Sequence, residues 1–114
     1  MNTRAIGTRG ENIAVEYLQK NGYKILDRNF NCRFGEVDIV AMQGGYYVFI
    51  EVKSRNTIQF GAPREAVTPY KQQRIVSVAR YWLFKKRITG VPARFDVVEV
   101  LDGIPSVIVD AFRA

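Results

Sequence analysis

Apolar positions recur along the chain with two different periods, and the switches between them mark out the elements. Ile13, Ala14, Tyr17 and Leu18 share one face of a helix. Thr8-Arg9-Gly10-Glu11 has the form of a capping box, which predicts that this helix opens at Thr8. Asn21-Gly22 closes it, glycine supplying the left-handed residue. From Tyr23 to Phe30 the period shortens to that of a strand, with Tyr23, Ile25 and, less regularly, Leu26 as its apolar members. Glu36 to Met42 and Tyr46 to Lys53 predict two more strands, the third rich in aromatic and β-branched residues, and Gly44-Gly45 between them is a hairpin signal.

The stretch from Ser54 to Val67 reads as a loop. Thr68 then caps a second helix with Pro69 at its first position. Its buried stripe is Ile75, Val76, Ala79, Trp82 and Leu83, and Lys85, Lys86 and Arg87 suit its C-terminal dipole end. Gly90 and Pro92 break it, and Arg94 to Leu101 and Ser106 to Ala111 read as two further strands around Asp102-Gly103. The order α-β-β-β-α-β-β predicts a single α/β domain over residues 1–114, a mixed central sheet flanked by helices.

The hairpin carries the chemistry. A two-residue turn at Gly44-Gly45 pairs Gln43 with Tyr46, and counting back places Asp38 opposite Glu51 and Glu36 opposite Lys53. Pleating puts these four on one face, with Val37, Ile39, Ala41, Val48, Ile50 and Val52 on the other. Two opposed carboxylates repel, and a divalent cation relieves that repulsion. Mg²⁺ suits them, since it takes one or two carboxylates and completes its shell with water and phosphate oxygens. Lys53 is then placed to orient or deprotonate an attacking water, or to neutralise charge on the phosphate. The plainer alternative is a solvated polar face closed by Glu–Lys ion pairs. Glu11, at the flank of the first helix's apolar stripe, either reaches toward Asp38 as an outer metal ligand or simply closes the capping box with Thr8; Glu16 points away.

Charge and composition narrow the partners. The 114 residues carry a net charge of +6, and the sequence pI is near 9.7, which favours a polyanion, nucleic acid first. Arg55, Arg64, Lys71 and Arg74 cluster around the loop and the start of the second helix. As a group they would make a track for a phosphate backbone; singly they read as surface charges. With no histidine and one cysteine, His-ligated zinc sites, His-based triads and internal disulfides are excluded. Cys32, between Phe30 and Phe34, reads as a partly buried thiol. No apolar run approaches the ~20 residues that span a bilayer, and the opening residues carry no apolar signal stretch, so a cytoplasmic location without a membrane partner is expected.

Several motifs in order resemble the YraN family of small bacterial proteins, similar in turn to archaeal Holliday junction resolvases and PD-(D/E)XK nucleases. They are Gly7-Thr8-Arg9-Gly10-Glu11 with Ala14 and Tyr17-Leu18, Gly22 to Asn29, Gly35 to Ala41, Val48 to Arg55, and Phe60 to Val67 followed by Lys71 and Arg74. The resemblance implies a restriction-endonuclease-like core, with Asp38 and Glu51 as ligands of Mg²⁺ or Mn²⁺, Lys53 as the catalytic lysine and Glu11 as the helix-borne acid. Val37 stands where the wider motif carries proline. The expected activity is metal-dependent endonucleolytic hydrolysis of DNA, on branched or single-stranded intermediates, and resolvase-like relatives imply a homodimer. Two other classes compete: a non-catalytic nucleic-acid-binding or adaptor protein on the same scaffold, and a basic domain whose charged hairpin end binds a protein.

Overall fold

Short-range signals set most of the element boundaries in the computed structural model, which describes residues 3–56 and 67–114, with side chains from Thr8 onward. Helix α1 (Thr3–Lys20) ends where the sequence says it should. Gly22 takes φ +84°, the Tyr23 amide donates to the Leu18 carbonyl and the Gly22 amide to the Gln19 carbonyl. This pair of bonds satisfies carbonyls that the helix end leaves open. Its start differs from expectation. The helix runs on through Thr8 to Thr3, so there is no capping box at Thr8. The Glu11 side chain turns instead toward strand β1 (Lys24–Cys32), where a guanidinium and an amide bind it.

Strands β2 (Gly35–Gln43) and β3 (Tyr46–Arg55) form the expected hairpin. Gly44 and Gly45 both have positive φ, the geometry that matches the twist of the flanking strands. Helix α2 (Pro69–Lys85) is capped by Thr68, whose hydroxyl accepts from the Lys71 amide at 3.2 Å. Ile75, Val78, Ala79 and Trp82 are its buried residues; Val78 lies beside the stripe read from the sequence, and Val76 and Leu83 are only partly covered. Strands β4 (Ala93–Leu101) and β5 (Ile104–Phe112) complete a five-stranded sheet in the order β1-β2-β3-β4-β5.

Neighbouring strands are antiparallel except β3 and β4, which are parallel. A parallel pair needs a crossover, and α2 lies in that connection. The structure is therefore a mixed α/β arrangement with β3 as the central strand and a helix on each face. Val40, Phe49, Phe95 and Val97 pack under α2 with Ile75 and Trp82, while Ile39, Ala41, Val48, Ile50 and Val98 pack under α1 with Ala14 and Leu18. Cys32 is a free thiol, half-buried beside Phe30 and Phe34 at the edge of the α2-side core. Among the described residues no helix is long and apolar enough to cross a membrane.

Within β2 the alternation of faces fails next to the site. Val37 and Val40 both belong to the α2-side core, whereas Ile39 belongs to the α1 side. Strict pleating would put Val37 with Ile39, as the sequence pattern predicted. The break lies at Asp38. On β1, between the pairs Arg28↔Ile39 and Phe30↔Val37, Asn29 takes φ +52°, a left-handed conformation that asparagine tolerates better than most residues.

Candidate active site

Pairing of β2 with β3 runs from Gln43↔Tyr46 to Ile39↔Ile50, in the register set by the Gly-Gly turn. Beyond that point the ladder opens into a fork. The Val52 amide is met there by a side chain: Oδ2 of Asp38 accepts from it at 2.7 Å. A buried amide needs an acceptor, and the rotation of β2 at Asp38 supplies one while holding the carboxylate inside the fork. Glu36 does not face Lys53 as the pairing count predicted. It is exposed and pairs with Asn31 of β1, because the β2–β3 ladder ends before reaching it.

Glu51 extends from the central strand and is 6% exposed. Its Oε1 lies 2.7 Å from Lys71 Nζ and 3.7 Å from Lys53 Nζ. Lys53 follows two positions along β3 on the same face. Lys71 arrives from the first turn of α2, in the layer above. Glu11 approaches from the α1 side, 8% exposed, with Oε1 accepting from Arg28 Nε at 3.0 Å and from Asn29 Nδ2 at 2.9 Å. Arg28 is held in turn by Asn12 at 2.6 Å. The fork thus lets groups from both helical layers act on one point, near the C-terminal end of β3, where open α/β sheets commonly bind ligands.

Electrostatics follow from this crowding. Burial first, then the charge of Glu51 and more weakly that of Glu11, push Asp38 up to about 7, against the Val52 bond and Lys71, which pull it down. Burial and the neighbouring Lys71 hold Lys53 below its ordinary value, with Glu51 opposing. Burial would also lower Lys71, but its bond to Glu51 outweighs this and raises it. Lys71 is therefore the ammonium that neutralises Glu51, and Lys53 is the one whose proton is loosened.

Of the residues selected from the sequence, Asp38, Glu51 and Lys53 converge, with Glu11 behind Asp38. Lys71, read as part of a phosphate track, lies inside the cluster itself. A signal for this was present: Thr68 places Lys71 in the first turn of the helix that follows the strand bearing Glu51. Arg74 caps the ring of the exposed Tyr70 and accompanies Lys71 along a cavity of about 510 Å³ between α2 and the end of β1. Arg55 is mostly buried and ion-paired to Glu99 at 3.4 Å. Arg64 lies outside the described residues. A further acid, Asp96, is fully buried outside the cluster. It accepts from Tyr23 Oη, Arg94 and the Asp110 amide, a fully partnered network at the far end of the sheet.

Comparison with known proteins places the chain in a family. A UPF0102 protein of Caldicellulosiruptor saccharolyticus is 46% identical over 110 residues, covering 96% of this chain and 93% of that protein. One from Geobacter sulfurreducens is 50% identical over 97 residues, 85% of this chain and 76% of its own length. One from Clostridium perfringens is 47% identical over 97 residues, 85% and 80% of the two chains. The family model described as uncharacterised protein family UPF0102 matches residues 10–100, a span holding Glu11, Asp38, Glu51, Lys53 and Lys71. On both grounds, and in keeping with the motif resemblance to YraN, the chain belongs to the UPF0102 family.

Proposed function

We propose that this protein is a metal-dependent endonuclease that hydrolyses DNA phosphodiester bonds, on a PD-(D/E)XK-type core, with branched or single-stranded intermediates as substrates. The observation that carries the reading is the gathering of Asp38 and Glu51 in the fork beyond the last β2–β3 pair, where Asp38 accepts from the Val52 amide and burial, then the charge of Glu51, push it up to about 7. A purely structural sheet gains nothing from two carboxylates held together in this way.

The donor set fits a hard divalent cation. Both of the acids that would hold it, Asp38 and Glu51, are carboxylates, hard oxygen donors. That suits Mg²⁺, or Mn²⁺ in its place, which draw remaining ligands from water and substrate phosphate. Glu11, already engaged by Arg28 and Asn29, acts on Asp38 through its charge.

Held by Asp38 and Glu51, the cation would supply Lewis-acid stabilisation to the phosphate oxygens of the transition state. The chain's own groups do the rest. Lys53, once its loosened proton has passed to solvent, takes a proton at Nζ from the water that attacks phosphorus, or, still protonated, donates to the phosphate as negative charge develops. The bond from phosphorus to the leaving sugar oxygen breaks, and that oxygen collects a proton from solvent. Lys71 and Arg74, along the neighbouring cavity, position the backbone by charge.

One observation favours the alternative of a non-catalytic nucleic-acid-binding or adaptor protein: two lysines already neutralise Glu51. The test is a cleavage assay on duplex, single-stranded, flap and four-way DNA in Mg²⁺, Mn²⁺ and EDTA. Cleavage by the wild type with metal, lost in EDTA and in Asp38→Asn, is expected. Binding without cleavage on every substrate overturns the enzymatic reading.

A further inference from the structure

Glu51 receives two ammonium groups on the same oxygen, Lys71 at 2.7 Å and Lys53 at 3.7 Å. Like charges this close repel, so the arrangement persists only because the carboxylates around it demand compensation. The two lysines are not equivalent. Lys53 sits on the same strand as Glu51 and is 23% exposed, whereas Lys71 reaches in from the other layer and is 40% exposed. The Lys71 end of the pair is partly open to water and can leave without losing all its solvation, while Glu51, whose side chain is 7% exposed, needs another cation in its place. Its flexible four-carbon stem gives the Lys71 ammonium freedom to swing.

We infer that Lys71 holds the cation's seat on Glu51 in the metal-free protein and transfers to a substrate phosphate when a divalent cation takes that seat, so that metal and nucleic acid bind cooperatively. This rests on the metal-site reading above. A divalent ion and an ammonium cannot share Glu51 Oε1 without strong repulsion, so Lys71 must find another anion. The neighbouring acids are spoken for: Asp38 accepts from Val52, Glu11 from Arg28 and Asn29, and Glu99 pairs with Arg55. Glu36, across the cavity, is exposed and offers only a solvated partner. A phosphate brought by the substrate is the strongest anion within reach of Lys71. The cavity that Lys71 borders is already basic through Arg74 and opens at the N-terminal end of α2, where the helix dipole favours negative charge. Each ligand thereby prepares the site for the other, and by linkage the coupling is equal in both directions.

The experiment measures metal and nucleic-acid affinity separately, without turnover. Mn²⁺ binding to the nucleic-acid-free protein is followed by calorimetry for wild type, Lys71→Met and Lys53→Met, with Lys71→Gln as a second replacement and circular dichroism to verify folding. Loss of Lys71 should tighten Mn²⁺ by about tenfold, the size of one released charge-assisted hydrogen bond. Loss of Lys53 should tighten it less, although both changes remove one positive charge from the same place. Anisotropy of a labelled DNA duplex is then compared in EDTA and in Ca²⁺, another oxygen-seeking cation. Wild type should bind the duplex more tightly with Ca²⁺, and Lys71→Met should lose most of that gain. If Lys71→Met and Lys71→Gln bind Mn²⁺ no better than Lys53→Met, the effect is simple charge and the inference is overturned while the metal site stands. Wild-type duplex affinity that is the same in EDTA and Ca²⁺ overturns it also. If no folded variant and no wild type binds Mn²⁺, the metal-site reading falls and the inference with it.

Discussion

Replacing Asp38 with asparagine should make the metal-free protein more stable at pH 8, while removing its metal-dependent activity. The rise of Asp38 from 3.8 to about 7 means that the fold prefers the protonated acid. Its contribution to stability is therefore fully present below about pH 4 and is lost as the pH climbs through about 7. At roughly 1.4 kcal/mol per pKa unit the whole rise corresponds to about 4 kcal/mol. Asp38 keeps partial contact with water, which screens the effect, and about 1–2 kcal/mol is the expected share. Asparagine escapes this penalty because it never ionises. Its carbonyl oxygen can still accept from the Val52 amide, and its amide can donate toward Glu51. For a domain of this size, about 4 °C of melting temperature accompanies each kcal/mol, so Asp38→Asn should melt about 4–8 °C above wild type in EDTA at pH 8. The gap should shrink as the pH falls below 7 and approach zero only below about pH 4, where the carboxyl is protonated in the unfolded chain as well. Mg²⁺ should stabilise wild type by mass action and leave the variant unmoved. An Asp38→Asn protein less stable than wild type in EDTA at pH 8, or a gap that ignores pH, would refute the claim that Asp38 is held under electrostatic strain.

Lys53→Ala should lower cleavage by ~10² or more, as when a preorganised transition-state hydrogen bond is deleted, while duplex binding in EDTA falls only modestly; single-turnover assays beside anisotropy distinguish the two. In Ca²⁺, duplex affinity should fall steeply with salt, and removing Lys71 and Arg74 together should flatten the log–log slope by about 2, at about 0.9 for each phosphate no longer neutralised; an unchanged slope would place the phosphate track elsewhere. Asp96→Ala should destabilise the fold by about 3–5 kcal/mol, because it leaves Arg94 and the Tyr23 hydroxyl without their buried acceptor; urea denaturation reads this directly, and a loss under about 1 kcal/mol would mean water replaces the carboxylate.

Gly44-Gly45, Thr68-Pro69 and Asn21-Gly22 act through one or two turns of backbone, and each could be read directly from the chain. The two glycines set the β2–β3 register as far as Ile39↔Ile50, which carries Asp38 and Glu51 to the same end of the hairpin. The apparent capping box at Thr8 shows the limit of such signals. Its glutamate had a stronger partner in Arg28, 17 positions away, and the helix simply continued. Tertiary structure decided what local pattern could not. How far two strands stay paired depends on sheet twist and on the strand beyond, so the ladder's end at Ile39↔Ile50 and the turn of β2 at Asp38 have no signature in hydrophobic period. That fork removed Glu36 from the cluster and opened it to both layers. The placement of α2 over the sheet brought Lys71 onto Glu51, although 20 positions separate them in the chain. Burial then acted on the gathered charges together, lifting Asp38 and loosening the proton of Lys53. Residue types and their spacing named the carboxylates and the lysine; only packing decided which cation meets which acid, because desolvation and Coulomb energy depend on distances through space.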